Sequence, residues 1–136
     1  MKVTVSEALG KVAVTILQPH GDLDAASYQQ LIATAQEARR SGASNMLLDL
    51  GDTPYMSSSG LVALQSIAAL LRNEEPPDPD SGWDAFRSID RDRDTGFQPH
   101  FKLLNPQPRV VQVLEMVGFT RFLEIYSELE DALASF

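Results

Sequence analysis

Met46-Leu47-Leu48-Asp49-Leu50, stopped by Gly51-Asp52-Thr53-Pro54, is the stretch on which the fold turns. It is too short for a helix and nearly all apolar, without the alternation of a half-buried strand. Such a run reads as a central strand covered on both faces. The covering helices are legible on either side. Upstream, Asp24 is an N-cap candidate for a helix from about Ala25 to Arg40, with Tyr28, Leu31, Ile32, Ala35 and Ala38 as one apolar stripe. Ser41-Gly42 stops it, and Arg39 and Arg40 complement the negative end of its dipole. Downstream, Ser57-Ser58-Ser59 supplies N-cap residues for a second helix from Gly60 to about Arg72. Leu61, Leu64, Ile67, Ala68 and Leu71 form its buried side.

The flanks complete the pattern. Val3 and Val5, then Val12, Val14 and Ile16, sit at every second position, so residues 2–8 and 11–18 are expected to pair as a hairpin turning at Gly10-Lys11, with Pro19-His20-Gly21 closing the second strand. Phe101–Leu104 reads as a strand ended by Asn105-Pro106. Pro108 opens a helix to about Val117, with Val110, Val111, Leu114 and Val117 as its stripe and Gly118 as its cap. Phe122–Tyr126 alternates as a last strand. Ser127 is expected to cap a closing helix in which Leu129, Ala132 and Leu133 face inward. The expected class is α/β, a mixed sheet of about five strands flanked by about four helices. At 136 residues and 43% hydrophobic content, one domain over 1–136 with a single core is expected.

Composition excludes several functions. There is no cysteine, hence no disulfide framework, thiolate metal site or cysteine nucleophile. The net charge of −8, with no cluster of Lys and Arg, opposes contact with a phosphate backbone, so no nucleic acid partner is expected. No apolar run approaches the ~18 residues of a membrane span, and Met1-Lys2-Val3-Thr4-Val5 is no signal-peptide core. A cytoplasmic protein without a membrane partner, a monomer or weak dimer, is the expectation. Residues 73–99 differ from the rest: eight acids face three arginines among four prolines. They read as an acidic, proline-rich surface loop, with one short helical turn possible around Trp83–Ile89. Asp90-Arg91-Asp92-Arg93-Asp94-Thr95-Gly96 has the alternating carboxylates of a calcium loop. Its glycine falls one place late, however, and Phe101 stands where the closing glutamate belongs. With His20 and His100 far apart and unaccompanied, no metal and no cofactor are expected. No Gly-x-Ser-x-Gly elbow or phosphate-binding loop is present, so no catalytic residue is assigned and no enzyme is expected.

The chemically informative segment is Tyr55-Met56-Ser57-Ser58-Ser59-Gly60-Leu61, between the central strand and the second helix. In open α/β sheets functional groups gather outside the carboxyl ends of the strands. A hydroxyl at this place lies beside free N–H groups and the positive end of the helix dipole, which would favour a phosphate on it. On spacing alone the same three serines are better explained as an N-cap worth about 1 kcal/mol.

Gly21-Asp22-Leu23-Asp24 before the first long helix and Leu48-Asp49-Leu50…Met56-Ser57-Ser58-Ser59-Gly60-Leu61 before the second resemble a STAS domain, and more narrowly the bacterial anti-sigma factor antagonists. So does Phe101-Lys102-Leu103…Pro108-Arg109-Val110-Val111…Leu114…Gly118-Phe119…Phe122. The resemblance covers about 1–72 and 100–136. It implies a protein-binding module that engages a partner acting as both anti-sigma factor and serine kinase, and that is released when phosphorylated. The acceptor position falls on Ser58, with Ser57 and Ser59 as alternates. The implied partner-binding residues are Gly21, Asp22, Asp24, Ser27, Met56, Ser57, Ser58, Ser59 and Gly60. The chain departs from the family motif at Ser57, where aspartate is usual. That substitution raises the alternative of an unphosphorylated STAS subunit in a transport or stress-signalling assembly.

Overall fold

Met46, Leu47 and Leu48 are all fully buried although successive strand side chains point to opposite faces, so the sheet is covered on both sides. The computed structural model describes residues 1–73 and 97–136. Its elements run β1 (Lys2–Leu9), β2 (Ala13–His20), α1 (Tyr28–Arg40), β3 (Met46–Asp49), α2 (Ser58–Leu71), β4 (Phe101–Leu104), α3 (Pro108–Met116), β5 (Ile125–Tyr126) and α4 (Leu129–Ser135). The sheet order is β1-β2-β3-β4-β5. β1 is antiparallel to β2, and the other neighbours are parallel. This is the expected mixed α/β sheet with its helices.

The main core lies on one face, where Leu17, Met46, Leu48, Phe101 and Leu103 meet Leu31 and Ala35 of α1, Leu61, Leu64, Ile67, Ala68 and Leu71 of α2, and Val110 and Leu114 of α3. α2 is buried nearly all round, a consequence of its run of small and apolar residues. On the other face Val14, Leu47 and Leu104 pack on Ala132 of α4, with Ile16, Tyr126, Leu133 and Phe136 around them. Lys102 is on this second face and is only 3% exposed. Its Nζ lies 2.9 Å from the Ser135 carbonyl, 3.0 Å from the Ser135 hydroxyl and 3.5 Å from Glu124 Oε2, so the cation closes the C-terminal end of α4.

Several boundaries differ from the expectation, each for a local reason. α1 starts at Tyr28 rather than Ala25, because 25–27 form a turn closed by the Asp24 carbonyl, which accepts from Ser27 and Tyr28 N–H. α2 starts at Ser58 rather than Gly60, with Ser57 as its cap. β2 begins at Ala13, leaving Val12 exposed, and runs on through Pro19 to His20. Its ladder with β3 spans only Thr15–Leu17, so the missing N–H of Pro19 leaves no gap there. The last strand is Ile125–Tyr126 instead of Phe122–Tyr126. Phe119 and Phe122 are both fully buried, edge to face at 4.8 Å, and the tight 3₁₀ turn Phe119–Arg121 that brings them together replaces the strand's first half. Gly118, at φ 78°, ends α3 in the left-handed cap position. Glu128, not Ser127, precedes α4, and Leu129 is exposed. Most of the acidic segment, including Trp83–Ile89 and Asp90–Asp94, lies outside the described residues.

Candidate functional site

Two loops at the carboxyl ends of β2 and β3 are joined by backbone bonds. Leu23 N–H donates to the Tyr55 carbonyl and Ser57 N–H to the Leu23 carbonyl, both at 3.0 Å, making Leu23 and Met56 an isolated parallel bridge. Gly21, at φ 109°, turns the chain out of β2 and donates its N–H to the Asp52 carbonyl at 3.0 Å. The segment 21–24 is thereby laid alongside 52–57, and the start of α2 shares one rim with it.

Ser57 caps α2: its Oγ accepts the Ser59 N–H at 3.2 Å from an extended backbone. Ser58 is the first helical residue and its side chain is exposed. Gly60 must lack a side chain, since a Cβ there would stand 2.8 Å from the Leu23 carbonyl oxygen and 2.5 Å from Met56 Cγ. The first turn of α2 therefore lies directly on the loop that carries Asp22 and Asp24.

The nine residues singled out from the sequence divide by depth. Gly21, Asp22 and Ser58 are exposed, and Asp24, Ser57 and Ser59 are half-buried. Met56, Gly60 and Ser27 are buried and hold the loops in place. Ser27, 7% exposed, donates its hydroxyl to the Asp22 carbonyl at 2.8 Å and accepts from Asp24 N–H at 3.1 Å. Asp24 Oδ1 in turn accepts from Ala26 N–H at 3.0 Å. The rim carries three carboxylates, Asp22, Asp24 and Asp52, and the segments 21–27 and 51–60 contain no Lys or Arg.

Four residues beside this rim, Thr4, His20, Asp52 and Tyr55, are not among the partner-binding residues that the resemblance implies. The His20 ring joins Thr4 Oγ1 on β1, at 2.7 Å, to the Asp52 carboxylate, tying the sheet edge to the rim. Tyr55, beside Met56 on the loop that leads to Ser58, is 44% exposed and offers an aromatic surface. Nothing in their spacing marks them, because they are assembled from β1, β2 and the loop after β3.

The family model for the STAS domain matches residues 6–75, just over half of the chain. The chain belongs to the STAS domain family. The match runs from the second half of β1 through α2 and so includes both loops of the rim. No curated protein matches the sequence. Solved structures share the STAS fold. An anti-sigma factor antagonist from Mycobacterium paratuberculosis is 15% identical, with a TM-score of 0.64 over 98% of this chain and 93% of that one. The unphosphorylated form of the anti-sigma factor antagonist SpoIIAA is 17% identical, with a TM-score of 0.53 over 96% of this chain and 93% of that one. The Thermotoga maritima protein TM1081 is 21% identical, with a TM-score of 0.59 over 88% of this chain and 84% of that one. At these identities the likeness speaks for the fold. Among the described residues no helix is long and apolar enough to cross a membrane.

Proposed function

We propose that this STAS protein is an anti-sigma factor antagonist that binds a serine kinase/anti-sigma factor through the Asp22–Asp24 and Ser57–Ser59 rim and is switched off by phosphorylation of Ser58. The observation that carries the reading is the exposure of Ser58 at the first position of α2, on a rim fastened by the Leu23–Met56 bridge. A macromolecular active centre has a route to that hydroxyl. The folds that match include SpoIIAA, whose structures cover an unphosphorylated and a phosphorylated form.

Phosphorylation would add about −1.5 to −2 charges at one point. The rim already bears three carboxylates without a Lys or Arg in its two segments. A dianion there must be desolvated before a close protein interface can form, and without a matching cation on the partner this cost favours release. Ser57 in place of the usual aspartate bears on the alternative, a constitutive STAS subunit that uses the same face unmodified. Ser57 keeps the capping bond to Ser59 N–H, which supports an intact loop in either case.

The experiment is incubation of the protein with ATP and the ATP-binding anti-sigma factors of its host, followed by mass mapping. Modification at Ser58, abolished by Ser58→Ala, is the expected result. If partner affinity survives Ser58→Asp unchanged and no modification occurs, the constitutive subunit is the correct reading.

A further inference from the structure

Among the described residues β1 is an edge strand, and two of the usual protections of an edge, a proline and a bulge, are missing from it. It pairs with β2 along all eight residues, and no described strand pairs with its other side. It contains no proline, and its register with β2 has no bulge. Side chains at alternate positions, Val3, Val5, Glu7 and Leu9, point to the face that α1 covers only in part. Val5 is 49% and Leu9 81% exposed. Beside them a groove of about 520 Å³ runs between β1 and α1, lined by Val5, Glu7, Thr15, Ala33, Thr34 and Ala38 among others. Small residues leave it unfilled. Its charged lining residues are Glu7 and Glu37, both acidic. Glu37 is paired with Arg40 at 2.8 Å, whereas Glu7 has no ion pair among the described residues.

We propose that β1 accepts an extended segment of a partner protein as a sixth strand, one whose groove-side residues alternate between apolar and basic. Main-chain bonds to the open edge would supply affinity, and alternate side chains would supply specificity. An apolar side chain opposite Val5 covers its exposed half and reaches toward the groove, and a Lys or Arg two positions along meets Glu7. A second copy of this chain fits less well. Two-fold antiparallel pairing sets odd positions of β1 against odd positions, and none of Val3, Val5, Glu7 and Leu9 is basic. Each copy also carries a net charge of −8. Thr4 of β1 is tied to the rim through His20. Val5, Glu7 and Leu9 are not among the rim residues, however, and the peptide test reads no phosphorylation, so this inference stands or falls independently of the phosphorylation switch.

The probe is an end-blocked peptide as long as β1, with threonine on one face and valine alternating with lysine on the other. One control replaces its lysines by glutamate, and a second is N-methylated at alternate residues to block strand pairing. Saturable amide-shift changes at Val5, Glu7 and Thr34 are expected, with hydrogen exchange slowed at the β1 amides that do not bond β2. The glutamate peptide should bind roughly tenfold or more weakly, and Glu7→Lys should reverse the preference between the two. The proposal is overturned by any of three results: no change at β1, equal binding of the N-methylated or glutamate peptide, or β1 protection that appears with protein concentration alone, which would assign the edge to a second copy.

Discussion

The carbonyl oxygen of Leu23 and the α-carbon of Gly60 are in such close approach that a methyl group on Gly60 would stand 2.8 Å from that oxygen. The same oxygen accepts the Ser57 N–H, so it cannot withdraw without breaking the bridge that unites the two loops. One small residue thereby sets the distance between the acidic rim and the serines.

Gly60→Ala tests this contact. Helix propensity alone would favour alanine by about 1 kcal/mol. Overpacking against a fixed backbone atom costs about 1–3 kcal/mol, and the steric effect is expected to win. The urea midpoint should fall with the slope unchanged, and amide shifts should move at Gly21–Asp24 and Met56–Ser58. A stabilised protein would show that the loops are free to separate.

Ser57 separates capping from charge. Ser57→Ala removes the bond to Ser59 N–H and should cost about 1 kcal/mol. Ser57→Asp keeps a capping oxygen and adds a negative charge at the positive end of α2, worth about 0.3–1 kcal/mol. The expected order of thermal midpoints is Asp, then Ser, then Ala. Equal midpoints for Ser and Ala would leave the cap without energetic weight.

Lys102→Met keeps the buried stem but removes the ammonium from Ser135 and Glu124. The lost charged hydrogen bonds should cost on the order of 1–3 kcal/mol. Glu124 is partly exposed and can hydrate, so the loss should concentrate in α4, where amide exchange accelerates before that of β3. Uniform acceleration would contradict a local role.

The Tyr126 phenol donates to the Glu124 carboxylate, and this bond, with burial and nearby negative charge, raises its pKa above the usual tyrosine value. The folded protein holds that proton more tightly than the unfolded chain. Its contribution is therefore whole below about pH 10 and is lost as pH rises through the folded-state value. The Tyr126 phenol should ionise above the usual tyrosine value in an ultraviolet titration. Glu124→Gln should lower its midpoint. An unchanged midpoint would remove Glu124 as the cause.

The order of elements, the doubly covered strand Met46–Asp49, the stripe of α2, the Pro108 start and Gly118 end of α3, and the place of Ser57–Ser59 at a helix mouth were all readable from the chain. Each depends on local chemistry: apolar spacing, cap preference, or a backbone conformation suited to glycine or proline. Tertiary structure alone decided the rest. Periodicity marks Phe122–Tyr126 as a strand, yet burial of Phe119 against Phe122 requires a tight turn there. A three-residue turn stands where Asp24 would open a helix, because Ser27 is drawn back to Asp22. That Ser27, Met56 and Gly60 are supports while Ser58 stands in solvent follows from the contact of two loops some thirty residues apart in sequence. The joining of His20 to Asp52 and the open flank of β1 are likewise long-range. Sequence encodes which face of an element is apolar, whereas depth and neighbours arise only when the elements compete for the same space.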